Sequence, residues 1–328
     1  MKKLVVLDGH LYPEGAFVEV ADLCKSQGIA FEVLDCKTQD DVIRLASDAD
    51  ACMVYWLHLN GDMLDHLPKL KMVVRCGVGV DNIDVDGFTQ HNVLVCNVPD
   101  YGVEEVAVHG LSLMLALERK IVFYNQKIHA GIWDENLGYD MRRLSEQTLG
   151  FLGFGRIARD LASLAKPIYG NIIAYDPYLK KELFNDVEPV DLDTLFETAD
   201  SLVVLAPATE ETYHVVNCEH LKKAKKGLRL VNVARGALVD LQAILWGLDQ
   251  GVLAGAALDV LEQEPPTDAL FHQLKRPDVI LTPHAAYRSV ESLHALKVMA
   301  AKTAICYLLG NEPYHVINAE LLAKPGGK

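Results

Sequence analysis

The chain has no apolar run approaching the ~18 residues that a membrane span requires. None of its cysteines (Cys24, Cys36, Cys52, Cys76, Cys96, Cys218 and Cys306) belongs to a CxxC pair. Scattered and odd in number, they specify neither a disulfide framework nor a zinc site, and a reduced cytoplasm is the expected setting. The start, Met1-Lys2-Lys3-Leu4-Val5-Val6-Leu7-Asp8, sets too few apolar residues before an acid for a secretory leader. Positive charge is scarce as well. Thirty-one Lys and Arg face 45 Asp and Glu, a net charge of −14, so no nucleic-acid partner is expected, because phosphate contacts need clustered cations. The one dense basic stretch, residues 222–229, reads as a solvated helix end.

What is present is ordinary globular material. Half of the 328 residues are hydrophobic, and the length favours two domains. Short apolar runs (Leu4–Leu7, Phe31–Leu34, Ala51–Leu57, Met72–Val74, Val93–Cys96) are bounded by turn residues, as buried parallel strands are. Helix-length segments such as Gly15–Gln27 and Thr38–Ala46 lie between them. Pro99-Asp100-Tyr101-Gly102 breaks this alternation, and a long helix is predicted from Val103 to Lys120. A second series of runs follows: Leu149–Leu152, Ile172–Tyr175, Ser201–Leu205, Arg229–Val233, Ala254–Leu258 and Val279–Leu281. Helical periodicity returns over Ser289–Leu309. The pattern predicts an α/β protein with parallel sheets.

The segment Gly150-Phe151-Leu152-Gly153-Phe154-Gly155-Arg156-Ile157-Ala158 fits G-x-G-x-x-A, with Gly153, Gly155 and Ala158 in its three slots. Such a match is weak alone, but this one follows a predicted strand and opens a predicted helix, Ile157 to Lys166. Gly153 suits a tight turn, Gly155 a close approach of backbone to pyrophosphate, and Ala158 a close helix–sheet contact. Asp176 stands 21 residues beyond Gly155, at the end of the next predicted strand. A carboxylate there accepts the ribose hydroxyls of NAD and repels the 2′-phosphate of NADP, so NADH is the expected cofactor.

Three polar residues close otherwise apolar runs: Arg235 after Val233-Ala234, Glu264 before Pro265, and His284 after Thr282-Pro283. Taken singly, each has a plain reading, as a surface cation, a turn acid and a buried histidine. Together, the segments Cys76-Gly77-Val78-Gly79-Val80-Asp81-Asn82-Ile83-Asp84, the glycine motif, Val233-Ala234-Arg235-Gly236, Ala257-Leu258-Asp259-Val260 through Glu264-Pro265, and Thr282-Pro283-His284 resemble the D-isomer-specific 2-hydroxyacid dehydrogenases. Cys96 through Ala107 and Pro283-His284-Ala285-Ala286-Tyr287 point to the branch that holds the C-terminal-binding-protein corepressors and their bacterial enzyme relatives.

The resemblance implies two Rossmann-like or flavodoxin-like domains. The cofactor domain, 100–286, is inserted in a discontinuous substrate-binding domain, 1–99 and 287–328. It implies hydride transfer between NAD and a small 2-oxo acid of the glyoxylate, hydroxypyruvate or pyruvate type. Arg235 would grip the carboxylate, Val78 and Gly79 would add backbone N–H donors, and Tyr55 would line the substrate. His284 would be the acid–base, and Glu264 would favour its protonated form. Arg156, Ile157, Pro207, Ala234 and Asp259 would join the cofactor contacts, Asp259 at the nicotinamide carboxamide. A homodimer through the cofactor domains is implied, and no metal.

The chain departs from the family pattern at Leu205, where many members carry a His, and at Tyr287, where the animal corepressors carry Trp. It lacks the Arg near Val54–His58 and the regulatory domain expected of phosphoglycerate-specific members. Glu264 stands where formate-oxidising relatives have Gln. An NAD-gated peptide scaffold of the corepressor type is the alternative, which the same Arg–Glu–His set would not separate. Glu105 and His109, four apart on a helix, form no metal site without a third ligand.

Overall fold

The apolar runs of the N-terminal region form β1 (Lys3–Val6), β2 (Ala30–Val33), β3 (Ala51–Val54), β4 (Met72–Arg75) and β5 (Leu94–Cys96). Helices α1 (Val18–Ser26), α2 (Gln39–Leu45) and α3 (Val85–Gln90) alternate with them. The strands make one parallel sheet of order β2-β1-β3-β4-β5. Successive side chains face opposite sides. Leu4, Val6, Met53 and Met72 therefore enter one core cluster and Val5, Cys52, Val54 and Val73 another. Both faces are covered, which is why these strands read as continuous apolar runs rather than alternating ones.

The run predicted to extend from Ala51 to Leu57 stops as a strand at Val54. The reason is Asp8, which is 1% exposed. Its carboxylate accepts the backbone N–H groups of Tyr55 (3.0 Å), Trp56 (2.7 Å) and Leu57 (3.2 Å), turning the chain away from the sheet.

The second series begins with α4 (Val103–Glu118) and α5 (Ile121–His129). The single helix expected to reach Lys120 is broken there, where the backbone turns left-handed (φ +52°). Next come β6 (Thr148–Leu152), α6 (Arg156–Ala165), β7 (Asn171–Tyr175), β8 (Glu188–Pro189), α7 (Leu192–Thr198), β9 (Ser201–Val204) and α8 (Cys218–Lys223). They are followed by β10 (Leu228–Asn232), α9 (Leu241–Asp249), β11 (Leu253–Leu258), α10 (Ala269–Gln273) and β12 (Val279–Leu281). The seven strands are parallel, in the order β12-β11-β10-β9-β6-β7-β8. The short edge strand β8 is exposed and gave no apolar signal in the sequence.

At the far end of α4, the buried Glu118 carboxylate meets Arg229 Nε (3.4 Å), the Ser201 hydroxyl and Gln147 Nε2 (3.5 Å). Burial pushes its carboxyl above the ordinary range, and Arg229 opposes that shift. Finally α11 (Val290–Leu308), capped by Ser289, packs Leu296, Ala300 and Ala304 into a core cluster of the five-stranded sheet.

This computed structural model describes residues 1–322 apart from 139, 140, 185 and 268. The chain divides into two units, Met1–Gly102 with the segment from Ser289 onward, and Val103–Arg288.

Replacing Asp8 by Ala strands three buried or half-buried N–H groups and is expected to lower unfolding stability by about 2–4 kcal/mol. Urea denaturation of the full chain measures it; a loss below about 0.5 kcal/mol would remove Asp8 from this role.

Candidate active site

In a parallel sheet all strands end on the same edge, so the loops that follow them share one rim. On the seven-stranded sheet that rim collects the residues singled out from the sequence. Gly153 follows β6, Asp176 follows β7, Pro207 follows β9, Arg235 follows β10, Glu264 follows β11 and His284 follows β12. The strands β10, β11 and β12 are neighbours.

The glycine turn fits an NAD pyrophosphate. Gly153 has φ +85°, and a Cβ there would lie 2.5 Å from the Ala206 backbone, so only glycine passes. Gly155 differs, since a Cβ there would meet nothing within 4 Å. The space belongs to whatever approaches from outside. Helices α2, α3, α7, α8, α9 and α11 are each capped by a Thr, Asp, Asn or Ser side chain, whereas among the described residues α6, with Gly155 at its N-cap, has no side-chain cap, like α1 and α5. Its first N–H groups, at Arg156 and Ile157, are set for an anion. Ala158 is fully buried against the sheet, as its slot requires. Asp176 Oδ2 accepts the Phe154 N–H (2.9 Å), and Oδ1 accepts those of Tyr178 and Leu179 (3.1 Å each). The carboxylate thus fastens the glycine turn as well as marking the end of β7.

Asn232, a buried polar residue closing β10, shapes the next turn. Its Oδ1 accepts the Ala234 N–H (3.1 Å), and its Nδ2 donates to the Arg235 carbonyl (2.9 Å). Arg235 is half-buried and donates from Nη1 to the Ala234 carbonyl (2.7 Å). Gly236 lies against the following loop so closely that a Cβ would come 2.0–2.2 Å from the Leu261 carbonyl and the Glu262 nitrogen. The turn that bears Arg235 is therefore keyed to the loop that bears Glu264.

Glu264 Oε1 accepts the Leu261 N–H (2.8 Å), and Oε2 lies 2.6 Å from His284 Nδ1. Tyr213 (2.8 Å) and His214 (3.3 Å) hold Glu262 of the same loop. His284 has φ +51°, an uncommon backbone for a residue with a side chain. Its N–H donates to the Asp259 carbonyl (2.7 Å). Asp259 itself is 2% exposed. Its carboxylate accepts the Thr282 hydroxyl (2.5 Å) and the N–H groups of Ala285 (2.9 Å) and Ala286 (3.0 Å). Those bonds spend the carboxylate on the histidine loop, a role the sequence did not disclose.

In the other unit, Gly77 has φ +149°, and a Cβ there would collide with the Arg75 guanidinium at 1.3 Å. Beyond it Val78 is exposed and Gly79 half-buried, and the Val78 carbonyl accepts Asn97 Nδ2 (2.6 Å). Tyr55 is buried among Tyr12, Phe17 and its own core. Burial raises that phenol well above its ordinary range. Asn232, Thr282 and the Glu262 clamp escaped the sequence reading. A polar residue inside an apolar run was the signal available for Asn232.

Residues 111–286 match the family model "D-isomer specific 2-hydroxyacid dehydrogenase, NAD binding domain". The chain is 34% identical over 272 residues to a glyoxylate reductase of Thermococcus litoralis, covering 80% of this chain and 81% of that protein. It is 34% identical over 279 residues to a D-3-phosphoglycerate dehydrogenase of Archaeoglobus fulgidus, covering 84% of this chain but 52% of that one, so it spans about half that relative's length. The crystal structure of a D-lactate dehydrogenase from Treponema pallidum is similar at 25% identity, with a TM-score of 0.81 over 96% of this chain and 99% of that one.

Substituting Ala for Gly236 must displace the 261–264 backbone, and with it Glu264. Reductive turnover is expected to fall by more than roughly tenfold, with a lower Tm. Parent-like kcat would show that the two loops are not keyed together.

Proposed function

This chain belongs to the D-isomer specific 2-hydroxyacid dehydrogenase family, and we propose that it reduces a small 2-oxo acid of the glyoxylate, hydroxypyruvate or pyruvate type to the D-2-hydroxy acid. The observation that carries the reading is the 2.6 Å contact between His284 Nδ1 and Glu264, on the rim that also bears Arg235 and the glycine turn. When bound, NADH supplies the hydride that adds to the 2-oxo carbon.

The protein's own residues do the rest. Arg235 presents a rigid fork that matches a carboxylate and polarises the adjacent carbonyl. Glu264 takes Nδ1 of the imidazole, which directs Nε2 toward substrate as the proton donor to the nascent alkoxide. Val78 and Gly79, exposed and half-buried, are assigned as backbone donors to the substrate carboxylate. Tyr55, enclosed in its core, is assigned to the wall behind the substrate through its ring.

Arg156, Ile157, Pro207 and Ala234 are assigned to the cofactor, and Asp176 to its adenosine ribose, with NADH preferred over NADPH. Glu211, bonded to Tyr178 beside Asp176, adds a second negative charge against a 2′-phosphate. A homodimer through the cofactor units is supported by the exposed apolar residues Ile121, Ile128, Ile132 and Trp133, the last 89% exposed.

Three substitutions test the assignment, assayed by NADH oxidation against glyoxylate, hydroxypyruvate, pyruvate, 2-oxobutyrate and phenylpyruvate. Arg235→Lys should raise KM and lower kcat together, because an ammonium cannot make two parallel bonds. His284→Ala should lower kcat by ~10²–10⁴-fold. Glu264→Gln should lower kcat by roughly tenfold or more with NADH affinity near the parent's, because an amide has one acceptor oxygen for the two partners Glu264 holds, the Leu261 N–H and His284 Nδ1. Parent-like kcat under rate-limiting chemistry would detach Glu264 from His284. Tight NADH binding without turnover of any acid would favour the peptide scaffold.

Cofactor preference is read separately. Parent kcat/KM should favour NADH by at least roughly tenfold, about 1.4 kcal/mol. Asp176→Asn should narrow the gap, and it preserves an acceptor for the Phe154 N–H where Ala would loosen the glycine turn. Equal use of both cofactors by the parent contradicts the assignment.

A further inference from the structure

We propose that His109, on α4, is a positioning residue for His284, acting through Thr282 and Asp259; the inference rests on His284 being the acid–base. His109 Nε2 lies 3.2 Å from Thr282 Oγ1 and 3.6 Å from Asp259 Oδ1. An ionised carboxylate only accepts, so the Thr282 hydroxyl spends its one proton on Asp259 Oδ1. The same hydroxyl can then only accept from the imidazole. His109 must therefore carry a proton on Nε2, and the bonds run in one direction, from His109 to Thr282 to Asp259.

Asp259 passes that order on. Its two carboxylate oxygens accept the Ala285 and Ala286 N–H groups, and its carbonyl accepts that of His284. The loop from 282 to 286 thus hangs from one buried acid while holding His284 in the left-handed region. For a residue with a side chain that conformation is strained and persists only when its surroundings over-determine it. Helix α4 supplies a firm anchor for the chain of bonds. It spans Val103–Glu118 and packs Val106, Leu113, Met114 and Leu117 into the cluster that includes Val231 and Ala257 of the sheet. Without His109 the Thr282 hydroxyl loses its donor, Asp259 loses a neighbour that can carry positive charge, and the loop samples orientations that mis-aim the imidazole.

The test uses the full chain. His109→Leu should lower kcat for 2-oxo acid reduction roughly tenfold, with the substrate KM and NADH affinity within about twofold of the parent. In the cofactor-free protein, amide exchange over 282–288 should accelerate while exchange over β11 stays at the parent rate. His109→Gln, which restores an N–H at the same reach, should recover both readouts. Thr282→Val, which also removes the donor to Asp259, should cost at least as much as His109→Leu, and the double variant should cost no more than Thr282→Val alone, since both break the same chain. Unchanged exchange over 282–288 in His109→Leu overturns the inference, as does full additivity of the pair. A His284→Ala enzyme with parent kcat, alongside altered exchange in His109→Leu, overturns instead the acid–base assignment beneath it.

Discussion

A carboxylate enclosed as completely as that of Asp259 must be supplied with donors by the protein itself, because an isolated buried charge costs several kcal/mol. The donors are the Thr282 hydroxyl and the Ala285 and Ala286 amides, which are the residues flanking His284. Satisfying the acid and shaping the histidine loop are thus one event. Glu264 completes the arrangement from the loop that follows the same strand, β11, and Gly236 presses that loop against the turn carrying Arg235. Three side chains far apart in sequence are thus held by the bonds of the backbone segments around them.

The parallel sheet makes this possible by delivering seven strand ends to one rim. Where that rim must admit a ligand, the chain withholds side chains. Among the described residues, the N-terminus of α6 has neither a side-chain cap nor a neighbour for a Cβ at Gly155, while α2, α3, α7, α8, α9 and α11 are closed by a side chain of their own. Elsewhere the same shortage of side chain serves contact within the protein, as at Gly153 against Ala206 and at Gly236 against Leu261. The glycines of one motif therefore have opposite reasons, and only the surroundings distinguish them.

Acids that gather backbone N–H groups recur as organisers. Asp8 gathers three amides and ends β3 before the apolar run is exhausted, and Asp176 gathers three more and fixes the glycine turn. Neither task is visible in a hydrophobicity pattern, since an acid after a strand looks the same whether it faces water or an amide. Periodicity accordingly overran at Leu57 and at Lys120 and missed the exposed edge strand at Glu188–Pro189.

The sequence alone determined the alternation of strand and helix, the parallel sheets and the dinucleotide turn. These follow from local rules, namely apolar runs bounded by turn residues, glycines spaced for a phosphate, and an acid at the next strand's end. It also marked Arg235, Glu264 and His284 as polar residues where strands should stop. Tertiary structure decided which of them touch. The Glu264–His284 contact, the Asp259 bonds to residues 282–286 and the reach of His109 to Thr282 join positions separated by 20 to 173 residues. Pairings at such separation depend on strand order and loop path, and a hydrogen bond of 3 Å leaves no trace in the composition of either segment.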